Sequence, residues 1–96
     1  MTEPVRTLPF DKRLGWPQRQ RIVVAGTTYD LFWRWNYQAD YATLEVADAG
    51  TGATLWIGKI APNWPIEIRD PETALPIMSI LPRTVDRAGA DVWVVW

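Results

Sequence analysis

Tyr29-Asp30-Leu31-Phe32-Trp33-Arg34-Trp35-Asn36 alternates in side-chain character with a period of two. Tyr29, Leu31, Trp33 and Trp35 fall on one face, and Asp30, Phe32, Arg34 and Asn36 on the other. That is the pattern of an antiparallel strand with one face on a core. Before it, the short β-branched run Arg21 to Ala25 and the Gly26-Thr27 pair predict a strand and a tight turn. After it, Asn36 to Asp40 is a polar connection, and Tyr41 to Asp48 alternates again, with Ala42, Leu44 and Val46 set against Thr43 and Glu45. Asp48-Ala49-Gly50-Thr51-Gly52 then reads as a loop whose glycines tolerate positive φ, returning the chain into Thr54 to Ile60 as the next strand of a meander.

Beyond Ile60 the alternation weakens. Pro62, Pro65, Pro71 and Pro76 predict a long surface loop in which only Ile66-Glu67-Ile68 is extended. Ile77 to Leu81 predicts another strand, Arg83 to Asp91 a charged connection, and Val92 to Trp96 a final strand apolar on both faces. No window carries a sustained 3.6-residue period. The expected fold class is therefore all-β: a small antiparallel barrel or sandwich of five to six strands. At the other end Pro4, Pro9, Gly15 and Pro17 leave no room for a helix. The chain accordingly divides into an extended N-terminal arm, residues 1–18, and a single all-β domain, residues 19–96.

A chain of 96 residues supports one hydrophobic core. Hydrophobic residues make up 48% and charged residues 22%, too apolar and too evenly signed for intrinsic disorder. The formal net charge of -1 argues against nucleic acid as the main partner, since phosphate binding needs a dense cationic face. The balance is uneven, because Arg6, Lys12, Arg13, Arg19 and Arg21 outnumber Glu3 and Asp11 over the first 21 residues. Without cysteine there is no disulfide and no thiolate metal site, so burial and strand pairing must hold the fold. No apolar run reaches the ~18 residues of a membrane-spanning helix, and Met1-Thr2-Glu3-Pro4 does not open a signal peptide. These features lead to the expectation of a soluble protein made in a cytoplasm.

Side chains that run reactions are scarce. Histidine and cysteine are absent and Ser79 is the single serine, leaving Ser79 or a threonine as nucleophile and Lys12 or Lys59 as a strained substitute base for acyl transfer. Asp30, Asp40, Glu45 and Asp48 could face one another across the central hairpin as glycosidase carboxylates do, but they read equally as solvated strand and turn residues. The Asp48 loop carries one acid where a calcium loop alternates several ligands, and Gly50-Thr51-Gly52 lacks the lysine and helix of a phosphate cradle. No catalytic residue, metal site or cofactor is expected, and the chain reads as a non-enzyme.

Side chains that make contact area are abundant, with seven tryptophans. Trp33 and Trp35 belong with the core. A domain this small rarely hides five more, and tryptophan near a surface is a common interface hot spot. Trp64, bracketed by Pro62 and Pro65, is the first candidate, followed by Trp16 in the arm and Trp96 at the chain end, with Phe10 and Trp56 beside them. The last strand needs cover on both sides, from a neighbouring subunit or from the middle of a closed barrel. The cationic arm, carrying Phe10 and Trp16, suits wrapping onto an acidic neighbour.

In this order the features resemble the baseplate plug family of tailed-bacteriophage proteins. Pro9-Phe10-Asp11 and Trp16-Pro17-Gln18 resemble its Pro-rich lead-in, Trp33-Arg34-Trp35-Asn36 its strand ending in Arg-Trp-Asn, and Leu44-Glu45-Val46-Ala47-Asp48 with Gly50 its acidic hairpin. Gly58-Lys59-Ile60-Ala61-Pro62-Asn63-Trp64-Pro65 is similar to its Gly-x-x-Leu-x-x-Gly-Trp-Pro segment, with Ile60 for leucine and Asn63 for glycine, and Arg69-Asp70-Pro71 with the apolar C-terminal strand completes the pattern. Asparagine tolerates positive φ, so the turn before Trp64 should survive the exchange. The resemblance implies a structural protein of the virion, in the tail baseplate and assembled in the host cytoplasm. It would pack in three- or six-fold copies against hub, spike, tube or wedge proteins. A carbohydrate-binding β-sandwich, stacking exposed tryptophans on sugar rings, is the alternative.

Overall fold

The computed structural model describes residues 5–8, 10, 11 and 13–96. Among them the chain forms eight strands and no helix: β1 (Val5–Thr7), β2 (Gln18–Val24), β3 (Thr27–Asn36), β4 (Tyr41–Asp48), β5 (Thr54–Ile60), β6 (Ile66–Arg69), β7 (Pro76–Asp86) and β8 (Gly89–Val95). They make two antiparallel four-stranded sheets, β2-β3-β4-β5 and β1-β8-β7-β6. Inward side chains of both sheets join one core cluster. The molecule is thus a sandwich and not a closed barrel, with eight strands where five or six were expected. No helix among the described residues is long and apolar enough to cross a membrane.

The alternation of the central strand holds residue by residue. Tyr29, Leu31 and Trp33 are buried and Trp35 half-buried, and across the ladder Trp33 faces Leu44 while Leu31 faces Val46. Burying each such side chain contributes about 1.5–3 kcal/mol. The β2–β3 turn is the two-residue pair Ala25-Gly26, with φ of 51° and 84°, one residue earlier than the expected Gly26-Thr27, and Thr27 already opens β3. Two successive positive φ values are what a type I′ hairpin turn requires, matching the twist of the strands. Asp48 caps the next hairpin loop, its Oδ1 accepting from the backbone N–H of Gly50 (2.7 Å) and Thr51 (3.1 Å).

Three expectations need correction. First, β2 begins at Gln18, three residues before Arg21. Gln18 and Gln20 lie on its inward side and interrupt the apolar pattern, yet their amides are used: Trp33 Nε1 donates to Gln20 Oε1 (3.0 Å), Gln20 donates to Gln18 Oε1, and Gln18 Nε2 donates to the carbonyls of Asp11 (2.9 Å) and Gly15 (3.0 Å). Second, Arg83 to Asp91 is no open connection. A bulge between Pro82 and Thr84 lets β7 run on to Asp86, and Asp86 Oδ1 accepts from Ala88 and Gly89 N–H to close a tight hairpin. Third, the expected arm is folded onto the sandwich. Val5–Thr7 pairs with β8, Leu8 is 3% exposed in the core, and its N–H donates to Val92 O (2.7 Å). The expectations placed on Met1 to Pro4, Pro9 and Lys12 lie outside the described residues.

β8 sits between β1 and β7. Ala90, Val92 and Val94 point into the core, whereas Asp91, Trp93 and Val95 lie on the outer side. The strand that is apolar on both faces is therefore internal to an open sheet, covered by the core on one side.

Candidate partner-binding surface

The turn from β5 to β6 carries Trp64. Asn63 takes φ 60° and donates its N–H to Pro82 O (2.8 Å), which pins the turn to β7, and Trp64 N–H donates to Ala61 O (3.3 Å). With the backbone held this way Trp64 is 70% exposed, and Pro62 and Pro65 beside it are exposed too. Asparagine is among the non-glycine residues that adopt this left-handed conformation at least cost. The indole borders a hollow of about 250 Å3 with Lys59 and Ala61. Adjoining it through the same two residues is a second hollow of about 150 Å3, bordered by Trp35, Tyr41, Pro62 and Val85.

The other candidates sit differently. Phe10 and Trp16 are half-buried against the core, their rings 4.7 Å apart, with Phe10 edge-on to Trp33 at 5.6 Å and Trp16 5.7 Å from Trp35. Trp16 Nε1 donates to Asp86 O (3.0 Å), which ties the N-terminal segment to the β7–β8 hairpin. Trp56 is half-buried on the inward side of β5 and its ring lies across Gly58, where a Cβ would stand 2.9 Å from Trp56 Cζ2. The glycine leaves the space that the indole fills. Trp96 is half-buried beside Ile77 and Met78. Of the seven tryptophans, Trp33 is fully buried and Trp64 and Trp93 are exposed, Trp93 at 37% with the Arg83 guanidinium 4.6 Å from its ring. Trp35 Nε1 is buried with no hydrogen-bond partner.

Alternation in the sequence marks the outward side of β2-β3-β4-β5 only as the face opposite the core. It carries a set of stacked cations. Arg34 and Arg19 lie 4.2 Å and 5.1 Å from the Phe32 ring centre, and Lys59 lies 5.1 Å from that of Tyr41. Register explains the grouping: Arg19 faces Phe32, Phe32 faces Glu45, and Thr43 stands between Arg34 and Lys59. Arg21 pairs with Asp30 at 2.8 Å, whereas Arg19, Arg34 and Lys59 have no carboxylate partner among the described residues. Ile57, 61% exposed, continues this side onto the edge strand β5.

The residues weighed for catalysis do not converge. Ser79 lies on the β1-β8-β7-β6 sheet and Lys59 on the other; Lys12 lies outside the described residues. Asp30 faces Ala47 and Glu45 faces Phe32, Asp40 is paired to Arg87 (2.7 Å), and Asp48 is taken up by its own turn. No group of acids among the described residues could hold a metal ion. A cleft of about 300 Å3 lies at the end of the sandwich, bordered by Tyr29, Asp48, Asp70 and Glu72. Asp70 Oδ1 is occupied as Asp48 Oδ1 is, accepting from Glu72 and Thr73 N–H. Burial raises the Tyr29 phenol above its ordinary value of 10.0, opposed by its bond to Thr27 and reinforced by the charges of Asp48 and Asp70. Comparison with protein-family models, curated proteins and solved structures gives no match for this chain.

Proposed function

We propose that this chain is a non-enzymatic structural subunit of a bacteriophage tail baseplate, held in the virion by contacts with neighbouring hub, spike, tube or wedge proteins. The observation that carries the reading is Trp64: a large apolar side chain, 70% exposed, on a turn whose backbone is fixed at both Asn63 and Trp64. Leaving an indole in water forgoes the stabilisation of burial, and a rigid exposed tryptophan is the residue type that most often anchors an interface. The resemblance through Gly58 to Pro65 supplies the setting, since the segment carrying it is the one that presents Trp64.

The reading is tested by replacing Trp64 with alanine in a phage that encodes the chain. The isolated variant is expected to keep its thermal transition, because the side chain contributes little to the core. Purified tails are expected to lack it, as read by mass spectrometry of the particles. Incorporation at the wild-type level would remove Trp64 from the interface. Absence of the wild-type chain from purified tails would end the baseplate reading altogether. The carbohydrate-binding alternative draws less support, because it calls for a row of exposed rings. Trp64 stands on the β5–β6 turn and Trp93 on β8, and Arg83 lies over Trp93.

A further inference from the structure

We infer that the outward side of β2-β3-β4-β5, from Arg19 across Phe32 and Arg34 to Tyr41, Lys59 and Trp64, docks an extended acidic protein segment. Its carboxylates would meet the three cations, and one of its apolar side chains would fill the hollow beside Trp64. This deepens the proposed function by naming the chemistry of the partner, and of that reading it needs only the premise that Trp64 meets another protein.

Charge complementarity sets the sign of the occupant. Arg19, Arg34 and Lys59 are exposed and lack carboxylate partners among the described residues, although each is held against an aromatic ring. A cation placed over a ring loses conformational freedom before binding, while a guanidinium in that position keeps its in-plane N–H fork for a carboxylate. The entropy lost on ordering a long basic side chain is thereby reduced at the docking step. The size of the hollows sets its shape. At about 250 and 150 Å3, both fall below the ~300 Å3 at which pockets for free small ligands begin, and both suit single side chains of a chain passing over them.

Single-stranded nucleic acid fits the arrangement less well. Phe32 already has two guanidiniums beside its ring, so its face is not open to a base.

The test uses the intact chain as bait for a displayed library of short random peptides, with Arg34→Glu as the paired bait. Arg34 is exposed, and circular dichroism verifies that the variant keeps its fold. The enriched pool is expected to combine Asp or Glu with aliphatic or aromatic residues. Its selected peptides should bind Arg34→Glu about tenfold more weakly or worse, the size of one lost charge-assisted contact. They should also weaken as salt rises, because exposed charges are screened over about 10 Å at 0.1 M. A pool without acidic excess overturns the inference, as does equal binding to Arg34→Glu. Tighter binding of an oligo(dT) probe than of the best peptide replaces the partner with nucleic acid, and self-association of the chain abolished by Arg34→Glu replaces it with a second copy. Acidic peptides selected by a chain that never enters tails would keep this inference and end the baseplate reading; incorporation into tails that Arg34→Glu leaves intact, with no acidic pool, would do the reverse.

Discussion

Ala25 is held at φ 51° in a turn position that glycine, asparagine or aspartate occupy at lower cost, because a Cβ in the left-handed region crowds the backbone. Replacing it with asparagine gives the Asn-Gly pair preferred in type I′ turns. A gain of about 0.5–1 kcal/mol in chemical denaturation is expected, with unchanged circular dichroism. Trp33 is the opposite case. It is fully buried and its Nε1 is bonded to Gln20, so Trp33→Ala should cost about 3–5 kcal/mol, the range for emptying an aromatic site in a core. A loss below 1 kcal/mol would show that the site collapses, or that Trp33 is not central. At this scale the sequence was informative where one residue type has one use. Asp48 was legible as a turn residue and Asn63 as a residue that tolerates positive φ. Trp16 and Phe10 were not legible, because nothing in a Pro-rich, cationic segment shows that its rings will find Trp33 and Trp35.

Among the elements, β3 and β4 were legible because their apolar residues alternate without interruption. The start of β2 is not legible because Gln18 and Gln20 occupy inward positions, and only the bonds to Trp33, Asp11 and Gly15 show why amides are tolerated there. The β7–β8 hairpin was missed because Pro82 and the charged residues after it look like a break. In the fold, Pro82 lies where β6 has ended, its carbonyl accepts from Asn63, and a bulge absorbs the irregularity. The outward side of β2-β3-β4-β5 was legible as polar, but period-two alternation does not tell a solvated face from a binding face. Strand β5 yields its own prediction. In Gly58→Ala the new methyl displaces the Trp56 ring, so the NMR signal of the Trp56 indole should shift, while stability changes by no more than about 1 kcal/mol because alanine suits a strand better than glycine. An unmoved indole signal would contradict the stacking of Trp56 on Gly58.

For the whole molecule, Tyr29 links the core to pH. Its phenol is raised above 10.0 by burial, so the neutral form is favoured in the fold. The associated stability is fully present below pH 10.0 and is lost as pH rises further. Tyr29→Phe is therefore expected to lessen the alkaline loss of stability, read from denaturation midpoints on either side of that pH; identical profiles would remove Tyr29 from the account. The sandwich closes its core with its own N-terminal segment and leaves Trp64 and the cationic side of one sheet exposed, the surfaces to which the proposed function assigns a partner.

The division that the proposed function draws, between what the chain covers itself and what a neighbouring protein would cover, is measured most directly by hydroxyl-radical footprinting of the isolated chain and of purified tails. Trp33 should be protected in both states, whereas Trp64 and Tyr41 should be oxidised in the isolated chain and protected in the particle. Equal oxidation of Trp64 in the two states would contradict the account.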